Sequence, residues 1–229
     1  KKKICVFDRF MNFLSKTLLV LLLSVFLVLT NPVSATDYFV STYGNDNSSG
    51  TLENPWRSIS YATTQAVAGD TIYLQDGIWH ENNITFLNSG NLTHHIRMTS
   101  YKDATPIIEG NISDPYMYGN TIWIPADYID ISNINIKNVN CSNALSINGD
   151  NVSIDNCRIE GVGYDSKGTA IGITGSHILI SNVTTNNTGW NQIQISLQKN
   201  KSTTDVTIID CDISNSREHA LIDLFNDLL

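Results

Sequence analysis

The chain has 229 residues, enough for one sizeable core, and its 22 acidic against 14 basic side chains give a formal net charge of −8. Residues 1–35 hold five of the basic residues (Lys1, Lys2, Lys3, Arg9, Lys16) and one acidic residue (Asp8), so the remainder carries 9 basic and 21 acidic side chains, net −12. Such a surface repels phosphate backbones and excludes nucleic acid as a natural partner; it fits an extracellular protein able to attract cations.

Residues 1–35 read as an export signal. Met11 is a natural start, Lys16 follows, and a near-continuous apolar run extends from Leu18 to Leu29. Asn31-Pro32 ends that run, and Val33-Ser34-Ala35 supplies the small residues a signal peptidase needs. The run is shorter than the about 20 apolar residues that span a bilayer. The expectation is therefore cleavage near Ala35 and a secreted or cell-surface product. Asn-x-Ser/Thr sequons at Asn47, Asn83, Asn91, Asn111, Asn140, Asn151, Asn182, Asn186 and Asn200 make surface glycosylation an expectation of the same kind.

The next segments are Tyr38-Phe-Val-Ser-Thr-Tyr-Gly-Asn-Asp46, Gly50-Thr-Leu-Glu-Asn-Pro-Trp-Arg-Ser-Ile-Ser-Tyr-Ala62 and Gly69-Asp-Thr-Ile-Tyr-Leu-Gln-Asp-Gly-Ile-Trp79. They resemble the opening of pectate-lyase-like right-handed parallel β-helix proteins. Ile96 to Tyr101 and Pro106-Ile-Ile-Glu-Gly110 are similar to the first full turn of that family, and the resemblance covers roughly 38–226. It implies a helix that caps the solenoid. Ser58 to Val67 fits, with Ser58 as N-cap and Ile59, Ala62 and Ala66 on one apolar stripe. A cap is physically required, because an open end exposes strand edges and core.

From about residue 128 the chain repeats itself, which points to a solenoid without any resemblance. Ile129–Ile136, Val152–Ile159, Ile178–Thr185 and Val206–Ile213 align, their starts offset by 23, 26 and 28 residues. Apolar residues alternate within each segment, as in short half-buried strands, and the phase shifts at Asn133, Asn156, Asn182 and Asp210. A phase shift is a bend, and Asn or Asp tolerates the left-handed backbone it needs. These four are expected to stack as a structural ladder of amides ending on a carboxylate. Just after the bend, Ile134, Cys157, Val183 and Cys211 should form an interior stack. Of the four cysteines Cys5 lies in the export signal, which leaves Cys141, Cys157 and Cys211, an odd count against a disulfide framework. No Cys-x-x-Cys or His-x-x-x-His metal spacing occurs.

A further strand recurs at Ala144–Ile147, Ala170–Ile173, Gln192–Ile195 and Leu221–Leu224. The fold expected is thus all-β: a right-handed parallel β-helix with three strands per turn and a short N-terminal capping helix, breaking off mid-solenoid at its C-terminal end. The division is 1–35 signal peptide, 36–68 opening strand and cap, 69–229 β-helix turns. Right-handedness follows from the preference of parallel crossovers.

The resemblance implies that a sugar polymer lies along the sheet built from that recurrent strand. With Ile147, Ile173, Ile195 and Leu224 inward, Ser146, Gly172, Gln194 and Asp223 form an outward row, and Ala144, Ala170, Gln192 and Leu221 a second. Gly168, Trp190 and His219 align just before the strands. Trp190 is expected to stack on a pyranose and Gln192 and Gln194 to bind hydroxyls. His219 and Asp223 are read as an acid–base pair with Glu218 and Arg217 beside them. Arg217, Lys199, Lys201 and Lys167 are the bases near enough to neutralise a uronate. The family's members include lyases, glycoside hydrolases, epimerases and non-catalytic surface proteins. The clustered aspartates of calcium-dependent family-nine pectate lyases are not matched, so no cofactor is assigned, though calcium stays open. The run Arg217-Glu-His-Ala-Leu-Ile-Asp-Leu-Phe225 is also similar to a turn of surface β-helix proteins related to disaggregatases, which act on a cell-surface heteropolysaccharide. The reading is an exported monomer that acts on extracellular acidic polysaccharide as a lyase or hydrolase. Its alternatives are a non-catalytic carbohydrate-binding or adhesive module, and a structural envelope protein or fragment.

Overall fold

In chain order the strands are β1 (Asp37–Val40), β2 (Thr71–Leu74), β3 (Ile78–His80), β4 (Ile84–Thr85), β5 (Ile96–Ser100), β6 (Ile107–Glu109), β7 (Asn120–Ile124), β8 (Ile129–Ser132), β9 (Asn135–Lys137) and β10 (Asn143–Ile147). They continue as β11 (Val152–Asp155), β12 (Arg158–Val162), β13 (Thr169–Ile173), β14 (Ile178–Ser181), β15 (Thr184–Thr188), β16 (Ile193–Leu197), β17 (Val206–Ile209), β18 (Asp212–Ser216) and β19 (Ile222–Asn226), with one helix, α1 (Ile59–Gln65). The computed structural model describes residues 35–110, 119–139, 141–163, 167–197 and 204–226. The proposed export signal lies outside them apart from Ala35, as do Lys199, Lys201 and the sequons Asn111, Asn140 and Asn200.

β1 pairs in parallel with β2, and from β2 to β16 each strand pairs in parallel with the third one after it, which makes three sheets: β1-β2-β5-β8-β11-β14-β17, then β3-β6-β9-β12-β15-β18, then β4-β7-β10-β13-β16-β19. This is the right-handed parallel β-helix, and its interior is one column of apolar side chains running from Val40 to Ile193. At the N-terminal end α1 closes it. Ser58 Oγ accepts from Tyr61 N at 3.3 Å, and Ile59, Ala62 and Ala66 are buried as the stripe requires. The Glu81 carboxylate accepts from Ile59 N (3.0 Å) and Ser60 N (2.9 Å), taking up the donors that a helix start leaves free.

Three bends close each turn, and each is a column of left-handed residues. Asn133, Asn156, Asn182 and Asp210 have φ of 57°, 47°, 52° and 52°. A second column precedes the first sheet (Tyr128, Asn151, His177, Asp205), and a third ends the strands of the second sheet (Asn138, Gly161, Asn187, Asn215). In the first column Asn156 Nδ2 donates to Asn133 Oδ1 at 2.7 Å, whereas Asn182 Nδ2 turns to Asp155 Oδ1 at 2.9 Å. Bonds from Ser181 Oγ and Asn182 Nδ2 hold the Asp155 carboxyl below the usual carboxylate range. Its contribution to stability is therefore present at neutral pH and is lost as pH falls through the acid range.

Ile134, Cys157 and Val183 are buried and Cys211 packs partly buried against them; Cys141, Cys157 and Cys211 are free thiols. Burial pushes the Cys157 thiol up to about 12, from an ordinary 9.0. A thiol raised in the folded state stays protonated after its unfolded counterpart has ionised. Stability is thus complete below about pH 9 and declines toward 12. Cys157→Val, which suits a column already holding Val183, should flatten that alkaline decline in urea titrations run between pH 8 and 11.

One interior column changes character. Thr185 sits between Ile159 and Ile213 on neighbouring strands, fully buried, and its hydroxyl oxygen has no partner. A buried unpaired hydroxyl costs about 1–3 kcal/mol. Thr185→Val should therefore raise the free energy of unfolding by about 1–2 kcal/mol, and an unchanged or lower urea midpoint would show the hydroxyl to be satisfied.

Candidate functional site

The three sheets present different outer faces. On the first, Asp130 pairs with His95 (3.0 Å) and Arg97 (3.5 Å); on the second, Glu109 pairs with His80 (3.6 Å) and Glu160 with Lys137 (3.9 Å) and Arg158. The third has no such pairs among the described residues. Its outward row is set by strand register as Thr85, Trp123, Ser146, Gly172, Gln194 and Asp223, one residue per strand, with charge only at Asp223. Ser146, Gly172, Gln194 and Asp223 stand in the order the repeat implies.

The inward partners are Ile147 and Ile173, both buried, and Ile195, half-buried; Leu224, on the edge strand β19, is 73% exposed. Of the second row expected to face outward, only Leu221, just before β19, is exposed. Ala144, Ala170 and Gln192 are fully buried, because each strand enters the sheet through a corner where two successive side chains face inward. Gln192 therefore reaches the Ser214 carbonyl with its Nε2 inside the coil, and its Oε1 is unpartnered. Its side chain is therefore not available on the outer face, where Gln194 stands instead.

Trp190 and His219 are brought together, their ring centroids 3.5 Å apart, and the Lys167 ammonium lies 4.5 Å from the Trp190 ring centre. Residues from three successive turns thus stack, and Trp190 is held between neighbours rather than presenting an open face. Asp223 Oδ2 accepts from the buried Asn191 Nδ2 at 3.2 Å. His219 and Asp223 form no hydrogen bond or ion pair with each other. Glu218 and Arg217 are exposed on the segment before β19, and Arg217 N donates to Thr188 O at 3.0 Å. Among the described residues no group of three His, Cys, Asp or Glu side chains could hold a metal ion.

Trp123 belongs to the outward row although it precedes the clear repeat. The alternation Ile122-Trp123-Ile124 alone would have placed it outward. It is 43% exposed, and its Nε1 donates to Asn148 Oδ1 at 2.6 Å. Ser146 Oγ donates to the same oxygen at 3.2 Å, while Asn148 Nδ2 donates to Thr174 Oγ1 at 2.7 Å.

Residues 38–217 match the family described as Pel9A-like, right handed beta helix region. The chain belongs to that family. A segment of 87 residues is 38% identical to pectate lyase PEL9 of Emericella nidulans, covering 38% of this chain and 21% of that protein. Among solved structures, a rhamnogalacturonan lyase superposes with a TM-score of 0.68 at 11% identity, over 84% of this chain and 56% of that one. The pectate lyase Pel9A superposes with a TM-score of 0.65 at 16% identity, over 79% and 48%. The chain thus spans about half the length of these solved relatives and is related to polysaccharide lyases; the superpositions speak for the fold.

Proposed function

We propose that this Pel9A-like chain is exported and acts on an extracellular acidic polysaccharide, as a lyase or hydrolase, along the outer face of the third sheet. The observation that carries the reading is the uninterrupted outward row from Thr85 to Asp223 on the face without ion pairs, in a chain related to polysaccharide lyases. Positive charge for a uronate carboxylate is at hand in Lys167, whose ammonium lies over the Trp190 ring, and in Arg217, exposed on the segment before β19. In a β-elimination, a base such as His219 takes the proton α to the carboxylate. The C–O bond to the leaving sugar then breaks, its electron pair goes to that oxygen, and an acid such as Asp223 or Glu218 returns a proton there. Hydrolysis would use two carboxyl groups instead, and Glu218 and Asp223 are the pair available.

Incubation with polygalacturonate, alginate and rhamnogalacturonan, with calcium or with chelator, tests this through unsaturated-product absorbance and reducing ends. Absorbance growth identifies a lyase; reducing ends without it identify a hydrolase. Retention on a glycan with neither product would favour the non-catalytic binding module. The stacking of His219 on Trp190 and the engagement of Asp223 by Asn191 are the observations on that side. Export predicts that the protein recovered from the culture medium begins at Thr36; a mature N-terminus still carrying residues 1–35 would contradict it.

A further inference from the structure

We propose that Trp123 is a stacking platform for an uncharged pyranose, so that the glycan held on this face is a heteropolymer with a neutral sugar at that position. This rests on the reading of the third sheet as the polysaccharide face and adds the sugar class at one end of it. The Trp123 indole is 43% exposed and stands between Thr85 and Ser146 in the outward row of the proposed glycan face. Here the ring is also locked. Its N–H is committed to Asn148, and Asn148 is tied to Ser146 and to Thr174, so three successive turns fix the ring plane before any ligand arrives. Binding to a preorganised ring loses less conformational entropy than ordering a mobile one.

With the N–H occupied, recognition falls to the π-face, whose electron density is negative. That face attracts the C–H side of a pyranose ring and disfavours a carboxylate. The surroundings agree. Below Trp123 the floor is Ser146 and the Asn143 amide, which lies over Gly172; a Cβ at Gly172 would stand 2.8 Å from Asn143 Oδ1. Asn143 Nδ2 in turn donates to Asn120 Oδ1 at 3.0 Å. These are hydroxyl and amide groups suited to sugar hydroxyls, with no cation among them. Asp223 lies four strands away, about 19 Å at about 4.8 Å per strand; Arg217 precedes that same strand, and Lys167, just before β13, points its ammonium away from Trp123 to the Trp190 ring of the next turn. Neutral and charged units of one chain would thus be sorted along the row.

The test is titration calorimetry on the full chain with β-1,4-linked gluco-, galacto- and manno-hexasaccharides and with hexagalacturonate, for wild type, Trp123→Ala and Trp123→Phe. Wild type should bind at least one neutral hexasaccharide. Trp123→Ala should weaken that affinity at least tenfold while Trp123→Phe keeps it within about threefold, with the thermal midpoint unchanged. Neutral binding unaffected by Trp123→Ala overturns the platform. Binding of hexagalacturonate alone overturns it and leaves the acidic-polysaccharide reading standing; binding of none of the four overturns the platform, and the assay with polygalacturonate, alginate and rhamnogalacturonan then decides the acidic-polysaccharide reading separately. An equal loss of hexagalacturonate affinity in Trp123→Ala refutes the neutral class.

Discussion

Gly175→Ala should destabilise the middle of the solenoid, with a loss of about 3 kcal/mol in urea titrations. After each third-sheet strand the chain turns through a four-residue corner, seen in succession at 125–128, 148–151 and 174–177, and these corners stack backbone on backbone. A Cβ at Gly175 would lie 1.8 Å from the Gly149 carbonyl oxygen, and one at Gly149 would lie 1.9 Å from that of Ala126. Neither contact involves a side chain that can swing aside. The same corner carries a polar ladder in which Asp150 N donates to Asp127 Oδ1 (2.7 Å), Ser176 N to Asp150 Oδ1 (2.8 Å) and Thr204 N to Ser176 Oγ (3.2 Å). Relief by backbone movement would break these bonds and those of Thr174 N and Gly175 N to Ile147 O. Because each turn of a solenoid rests on its neighbours, damage at one corner propagates to both sides. A Gly175→Ala chain with an unchanged urea midpoint would mean that these corners are far looser than described.

The second large effect belongs to chemistry. In a preparation that cleaves a polyuronate, His219→Ala and Asp223→Ala should each lower kcat by about 10²- to 10⁴-fold, the usual contribution of a positioned acid or base. Stability should barely change, since His219 is exposed and Asp223 half-buried on the edge strand β19. Loss of the imidazole also uncovers one face of Trp190, so a change in tryptophan fluorescence should accompany His219→Ala. Turnover unchanged in both variants would remove these residues from the mechanism. An effect of His219→Ala on KM alone would assign it to binding through Trp190.

The parts of the fold legible in the sequence were those where one residue type does the same task in every turn. Asn133, Asn156, Asn182 and Asp210 share a left-handed bend and short polar side chains, so their column stands out. The bend before the first sheet uses Tyr128, Asn151, His177 and Asp205 at φ of 57°, 57°, 58° and 54°; the requirement lies on the backbone and the side chains carry no common mark. The site was legible where alternation holds, as for Ser146, Gly172, Gln194 and Asp223. It failed at Gln192, where a corner turns two successive residues inward and the period of two breaks. Trp190 and His219 were correctly aligned, but alignment between turns says nothing of whether two rings leave room for a ligand. Here they close on each other.

The central claim is that a glycan lies on the outer face of the third sheet. Ser146→Tyr places a bulky ring in the middle of the outward row, while Ser153→Tyr places the same ring on the outer face of the first sheet, where Ser153 stands between Asp130 and Leu179. Affinity electrophoresis in gels containing polygalacturonate, alginate or rhamnogalacturonan measures both against wild type. The expected result is retardation of wild type and Ser153→Tyr in at least one glycan and free migration of Ser146→Tyr. Equal retardation of all three proteins, or selective loss in Ser153→Tyr, would contradict it.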